Sequence, residues 1–179
     1  AASGSRLTMA EALSPILPAA TERQVHQVLA EACRRNLRLA TAESCTGGLL
    51  ASLLTDVPGC SHAFERGFVV YTNAAKAGLL GVDPDLLEDP GPVSEPTARE
   101  MAAGALARSQ ADIVVAITGW MEEGSGADQP AGRVWFAAAR RGGEIAVQRA
   151  EFGDAGRAAL RLACLDAALR LLMDQIAQA

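Results

Sequence analysis

Leu37-Arg38-Leu39-Ala40-Thr41-Ala42 runs directly into Glu43-Ser44-Cys45-Thr46-Gly47-Gly48, after which Leu49, Leu50, Leu53 and Leu54 recur at helical spacing. The first six residues alternate, with Leu37, Leu39 and Thr41 set against Arg38, Ala40 and Ala42, and so carry the two-residue period of a strand. The leucines that follow fall on one stripe of a helix. Between them lies a polar segment with two adjacent glycines, which accept the backbone of a tight turn at no steric cost. Strand, glycine turn and helix in this order open an α/β unit.

Working outward, Val25, Val28, Leu29 and Ala32 form a helical stripe that ends near Arg35-Asn36, with Thr21 as its cap and Gln24 at the capping-box position. Gly67 to Thr72 is apolar and β-branched and predicts a second strand. Asn73 then caps a helix from Ala74 to Leu80 that stops at Gly81. Asp83 to Pro92 reads as a proline- and acid-rich loop, and Ser94-Glu95-Pro96-Thr97 opens a helix ending near Ser109. Ile113-Val114-Val115-Ala116-Ile117 lacks polar alternation, as a strand covered on both faces does. Val134 to Ala139 and Ile145 to Phe152 predict a hairpin turning at Gly142-Gly143, and a long helix runs from Asp154 to Ala177. Helices alternating with strands and closing on a hairpin predict a single-domain three-layer α/β/α fold around a mixed central sheet.

The chain has 179 residues, half of them hydrophobic, which is enough for one sizeable core. Residues 1–20 are set aside as a tag remnant and flexible N-terminal segment, with Met9 a candidate natural start, and residues 21–179 form the domain. A net charge of -5 provides no broad positive field, which argues against nucleic-acid partners. No N-terminal signal and no membrane-length apolar run stand out, so a cytoplasmic protein without a membrane partner is expected. Cys33, Cys45, Cys60 and Cys164 form no CxxC pair, and only His26 and His62 could join them; reduced thiols, no metal and no cofactor follow. The alanine-rich stretch Ala102 to Ala107 could pack against a second copy, giving a homo-oligomer, or be a buried helix face.

In an open α/β sheet, ligands lie beyond the carboxyl ends of the strands, where Glu43 to Gly48, Tyr71 to Lys76 and Thr118-Gly119 fall. The backbone N–H groups of Gly47 and Gly48, with the hydroxyls of Ser44 and Thr46, could cradle a phosphate; equally, the glycines permit the turn and the hydroxyls cap it. Lys76 is a candidate base, because a lysine desolvated at a strand end loses its proton and can activate a serine, with Tyr71 as relay. His62, beside Ser61, reads as a surface-turn residue rather than a triad base.

Eight segments in order resemble the CinA C-terminal family, from Thr41-Ala42-Glu43-Ser44-Cys45-Thr46-Gly47-Gly48 through Thr55 to Ser61, Phe64 to Tyr71, Asn73-Ala74-Ala75-Lys76, Leu80-Gly81-Val82, Gly91-Pro92-Val93-Ser94 and Thr118-Gly119 to Val134-Trp135-Phe136. The resemblance implies an amidohydrolase of pyridine-nucleotide salvage that converts nicotinamide mononucleotide to nicotinate mononucleotide and ammonia by a metal-independent serine mechanism. It implies Ser61 as nucleophile, with Ser44 the alternative serine, Lys76 as base and Tyr71 between them. Ser44, Thr46, Gly47, Gly48 and Thr118 would bind the substrate, and Arg157 would offer a fork to its phosphate. Longer members carry a preceding molybdopterin-binding-like domain, which has no counterpart in these 179 residues.

One loop departs from the family. Where Ala-Gly-Pro and further glycines normally follow Thr-Gly, this chain has Trp120-Met121-Glu122-Glu123-Gly124-Ser125-Gly126, and further on Gln129-Pro130-Ala131-Gly132-Arg133. A carboxylate about 4 Å from a bound phosphate costs roughly 4 kcal/mol per charge pair at an effective dielectric of about 20. Either the acids turn into the site, as in a paralogue that has become a nucleotide-binding or assembly module, or the loop swings away with Arg133 as countercharge.

Overall fold

A computed structural model describes residues 17–126 and 128–179. The tag remnant and the start at Met9 fall on residues 1–16 and lie outside the described residues. Helix α1 (Ala19–Arg34) is followed by β1 (Leu39–Glu43), the short α2 (Leu49–Leu53), a 3-10 turn (Ser61–Ala63) and β2 (Phe64–Val69). Helix α3 (Asn73–Ala75) passes straight into a π-helical turn, Lys76–Leu80. Then come α4 (Pro84–Glu88), α5 (Glu95–Ala107), β3 (Ile113–Gly119), the hairpin β4 (Arg133–Arg140) and β5 (Ala146–Glu151), and α6 (Arg157–Ala177).

The five strands form one sheet in the order β2-β1-β3-β4-β5. Strands β2, β1 and β3 run parallel and the hairpin adds antiparallel, so the sheet is mixed, as the sequence predicts. Strand β3 shows why the fold has three layers. Ile113, Val115 and Ile117 point into a core shared with α1, α2 and α6, while Val114 and Ala116 point into a second core beneath α4 and α5. All five are fully buried, and burying each large aliphatic among them contributes about 1.5–3 kcal/mol.

Several local expectations change. Helix α1 begins at Ala19, and Thr21 is not its cap: buried inside the helix, its hydroxyl donates to Asp166 Oδ1 of α6 at 2.8 Å. Strand β2 starts at Phe64, ahead of the apolar run: Leu39 pairs with Phe64 and Ala40 with Arg66, leaving Glu65 of β2 as a bulge. The cap of α3 is Thr72 rather than Asn73; its hydroxyl accepts from Ala75 N at 3.1 Å. The supposed loop from Asp83 contains α4, capped by Asp83 itself, with Pro84 in the first turn where its missing N–H goes unnoticed. Ala102 and Ala105 of α5 are fully buried in the chain's own core, whereas Ala103 and Ala107 on the same stretch are exposed. Gly104, between them, lets α5 approach the Leu80 carbonyl so closely that any β-carbon would collide with it. That contact seats the turn carrying Lys76.

Candidate active site

The carboxyl ends of β1 and β3 open onto a cavity of about 260 Å³, lined by Ser44, Tyr71, Asn73, Lys76, Thr118, Arg157 and the segment from Trp120 to Gly124 among others. Behind that lining, the turn that carries Ser44 is held by Glu43. This carboxylate is fully buried at the last position of β1 and accepts five hydrogen bonds: from the hydroxyls of Thr41 (3.2 Å) and Thr46 (2.7 Å), and from the N–H groups of Gly48 (3.1 Å), Leu50 (3.1 Å) and Ala51 (2.7 Å). The orphan donors at the start of α2 are thereby satisfied from within. Gly48, at φ 91°, takes the left-handed turn that folds the helix back onto the carboxylate.

This arrangement corrects the phosphate-cradle reading of the loop. The Gly48 N–H and the Thr46 hydroxyl are spent on Glu43, and the Gly47 N–H on the Ser44 carbonyl at 3.1 Å. Thr46 and the two glycines stand outside the cavity wall; their work is to shape the turn that presents Ser44.

Lys76 is 1 % exposed. Its Nζ donates to Ser44 Oγ at 3.0 Å and to the carbonyls of Val70 (3.1 Å) and Tyr71 (3.3 Å). None of these partners is a carboxylate. Removal from water pushes the Lys76 amine below its ordinary 10.5, and the Cys45 side chain opposes this more weakly. The π-helical turn is what aims this lysine inward, since such wide turns shift one residue off the regular helical face and recur at functional sites.

The structure therefore brings together Ser44 and Lys76 but not Ser61 and Lys76. Ser61 is exposed on the 3-10 turn and is no part of the cavity. His62 beside it is also exposed, with Nε2 3.2 Å from Cys33 Sγ. Tyr71 does not bridge serine and lysine, which touch directly; it supplies its carbonyl to Lys76, while its side chain lines the cavity and is 63 % exposed. Thr118 lines the cavity at the end of β3, and its hydroxyl donates to the Pro92 carbonyl at 2.7 Å. Arg157, at the start of α6, also lines it, but its Nη2 lies 3.0 Å from Glu122 Oε1. Arg133 is not the countercharge to the loop acids, for it pairs with Asp128 and Glu151 on the outer surface. Glu43 and Asn73 are the residues whose place in the site the sequence reading missed; an acid ending a strand just before a Gly-Gly turn is the one signal that could have marked the first.

Among the described residues no helix is long and apolar enough to cross a membrane, and no three His, Cys, Asp or Glu side chains are grouped to hold a metal.

A three-layer α/β domain with a buried serine–lysine pair at the carboxyl edge of its parallel strands defines a class: α/β proteins whose polar cavity opens at the strand ends. Within that class the chain belongs to the CinA C-terminal domain family, whose pattern it matches over residues 21–176. It is 44% identical over 145 residues to the nicotinamide-nucleotide amidohydrolase PncC of Escherichia coli, covering 80% of this chain and 87% of that protein. It is 50% identical over 118 residues to a CinA-like protein of Akkermansia muciniphila, a match covering 65% of this chain and 28% of the relative, so the chain aligns with only about a quarter of that protein's length. Among solved structures, the competence/damage inducible protein CihA from Agrobacterium tumefaciens superposes with a TM-score of 0.85 at 41% identity, over 88% of this chain and 96% of that one.

Proposed function

We propose that this chain hydrolyses the carboxamide of a nicotinamide nucleotide, converting nicotinamide mononucleotide to nicotinate mononucleotide and ammonia, with Ser44 as nucleophile and Lys76 as its base. The observation that carries this reading is the buried Lys76 amine, without an acidic partner, 3.0 Å from Ser44 Oγ. A lysine whose charged form is disfavoured by burial is suited to take a proton from a serine hydroxyl.

Neutral Lys76 takes the Ser44 proton as Oγ attacks the carboxamide carbon. The N–H groups of Cys45 and Thr46, which follow the serine and make no hydrogen bond within the described residues, supply donors for the oxyanion. The tetrahedral intermediate collapses as the Lys76 ammonium gives its proton to the amide nitrogen, whose bond to carbon breaks so that it leaves as ammonia, and an acyl ester remains on Ser44. Water, deprotonated by the same lysine, then cleaves the ester to give the carboxylate and restore the serine. The exposed Tyr71 ring stands at the cavity mouth, where it can cover a planar pyridine. The kinship with PncC supports the substrate class.

A second reading, a binding or assembly module on the same fold, is favoured by Glu122 and Glu123 lining the cavity. Ammonia release from nicotinamide mononucleotide by the purified chain, measured with chelator present, separates the two. Release that is lost in both Ser44→Ala and Lys76→Ala supports the amidase. An intact chain that releases none favours the module.

A further inference from the structure

We infer that Glu122 is a specificity-determining residue: it competes with substrate phosphate for Arg157, and so shifts the site toward pyridine ribosides that carry no phosphate. That the ligand is a pyridine nucleoside rests on the amidase reading above; the competition does not.

Two cationic side chains line the cavity, Lys76 and Arg157. Lys76 is buried against Ser44 at the floor, which leaves Arg157 at the rim, 43 % exposed, as the partner for an anionic group on a ligand. Its Nη2 is already engaged by Glu122 Oε1 at 3.0 Å. The nearby Arg161 directs its Nε to the Cys45 carbonyl instead. The carboxylate thus sits where a phosphate would form its fork with the guanidinium, and two anions cannot share that edge without repulsion.

Glu122 is also held close. Trp120 N–H donates to the Arg133 carbonyl at 2.9 Å and Gly132 N–H to the Trp120 carbonyl at 2.8 Å, so the loop is clamped to β4 two residues before the acid. Glu123 lines the same wall and adds a second negative charge. A tethered carboxylate of this kind is present at high effective concentration whatever the solution holds. Because both partners are partly exposed, the pair itself is weak and does not bar phosphate outright. It lowers the affinity for a phosphate while costing a phosphate-free riboside nothing.

The test is calorimetric binding of nicotinamide mononucleotide and of nicotinamide riboside to the intact chain and to Glu122→Gln, at low ionic strength where rim charges are least screened. Glu122 is largely exposed, so the substitution leaves the fold intact. The nucleotide is expected to bind on the order of tenfold more tightly to the variant, with less than about twofold change for the riboside. Equal changes for both ligands, no change for either, or no binding of either to both chains overturns the inference. Ammonia release is followed on the same samples. Selective tightening without any release keeps the competition and removes the amidase, whereas release without selective tightening does the reverse.

Discussion

Replacing Glu43 by glutamine tests whether the strand end, the turn and the serine are held by one buried carboxylate. One oxygen accepts from Thr46, Gly48 and Leu50, the other from Thr41 and Ala51. A glutamine retains the most bonds by keeping its carbonyl toward the group of three. Its NH2 then faces the Ala51 N–H, which loses its acceptor, at about 1–3 kcal/mol for a buried donor left unmade. The three retained bonds change from charged to neutral acceptors and weaken by roughly 1 kcal/mol each. Relief from burying a charge offsets part of this loss, since desolvating an ion costs several kcal/mol. A net destabilisation of about 3 kcal/mol remains, which lowers Tm by roughly 6–12 °C in a domain of this size. The assay is thermal and urea unfolding of the wild type, Glu43→Gln and the exposed control Glu123→Gln, for which a change within about 0.5 kcal/mol is expected. A Glu43→Gln chain as stable as the control would falsify the claim that this carboxylate organises the turn.

Four further outcomes follow from the structure. Because burial lowers the Lys76 pKa below 10.5, kcat/KM should rise as pH climbs through the lowered value, and Lys76→Arg, which stays protonated, should lose roughly 10²–10⁴-fold in activity. Between the lowered value and 10.5 the native chain binds fewer protons than the unfolded one, so stability should increase with pH across that window and be lost as pH falls through the lowered value; an unchanged slope in Lys76→Met contradicts this. Ser61→Ala should keep ammonia release within about twofold of wild type, given an exposed hydroxyl outside the cavity, and a loss comparable to that of Ser44→Ala would return the nucleophile to Ser61. In native protein a thiol reagent should label the half-buried Cys33 and Cys60 and spare Cys45 and Cys164, which are buried; a hydrogen bond to Cys45 and then burial hold the Cys164 thiol far above its usual range. Four equally fast thiols, counted by mass spectrometry, would contradict that packing.

Much of the fold is legible in local pattern, because period and turn chemistry are local. The unbroken apolar run at Ile113 to Ile117 places the central strand, and Gly142-Gly143 places the hairpin. What pattern cannot show is how strands slide against one another. Strand β2 begins before its apolar run, across a bulge at Glu65 that no local pattern signals. The site has the same division. Lys76 and Ser44 are each visible as candidates, but their contact joins residues 32 positions apart through a π-helical turn that no propensity marks. Ser61 belongs to an equally clear motif, yet its 3-10 turn leaves it exposed and outside the cavity. Thr21 shows the opposite error: its residue type suits a cap, yet Asp166 on a distant helix takes the hydroxyl.

The inward-turned Glu43 also bears on what the binding step must supply. Glycine turns at the start of a helix commonly wait for an anion from solution, and ordering them on arrival draws on the ligand's own affinity. Here the anion is covalently part of the turn, so no buffer salt can displace it and no ligand has to organise the loop. The serine is therefore set in place before any substrate arrives, and rigidity at this corner is a property of the unliganded protein. On the competition inferred above, the part that has to give way to a phosphate is the rim pair of Glu122 and Arg157.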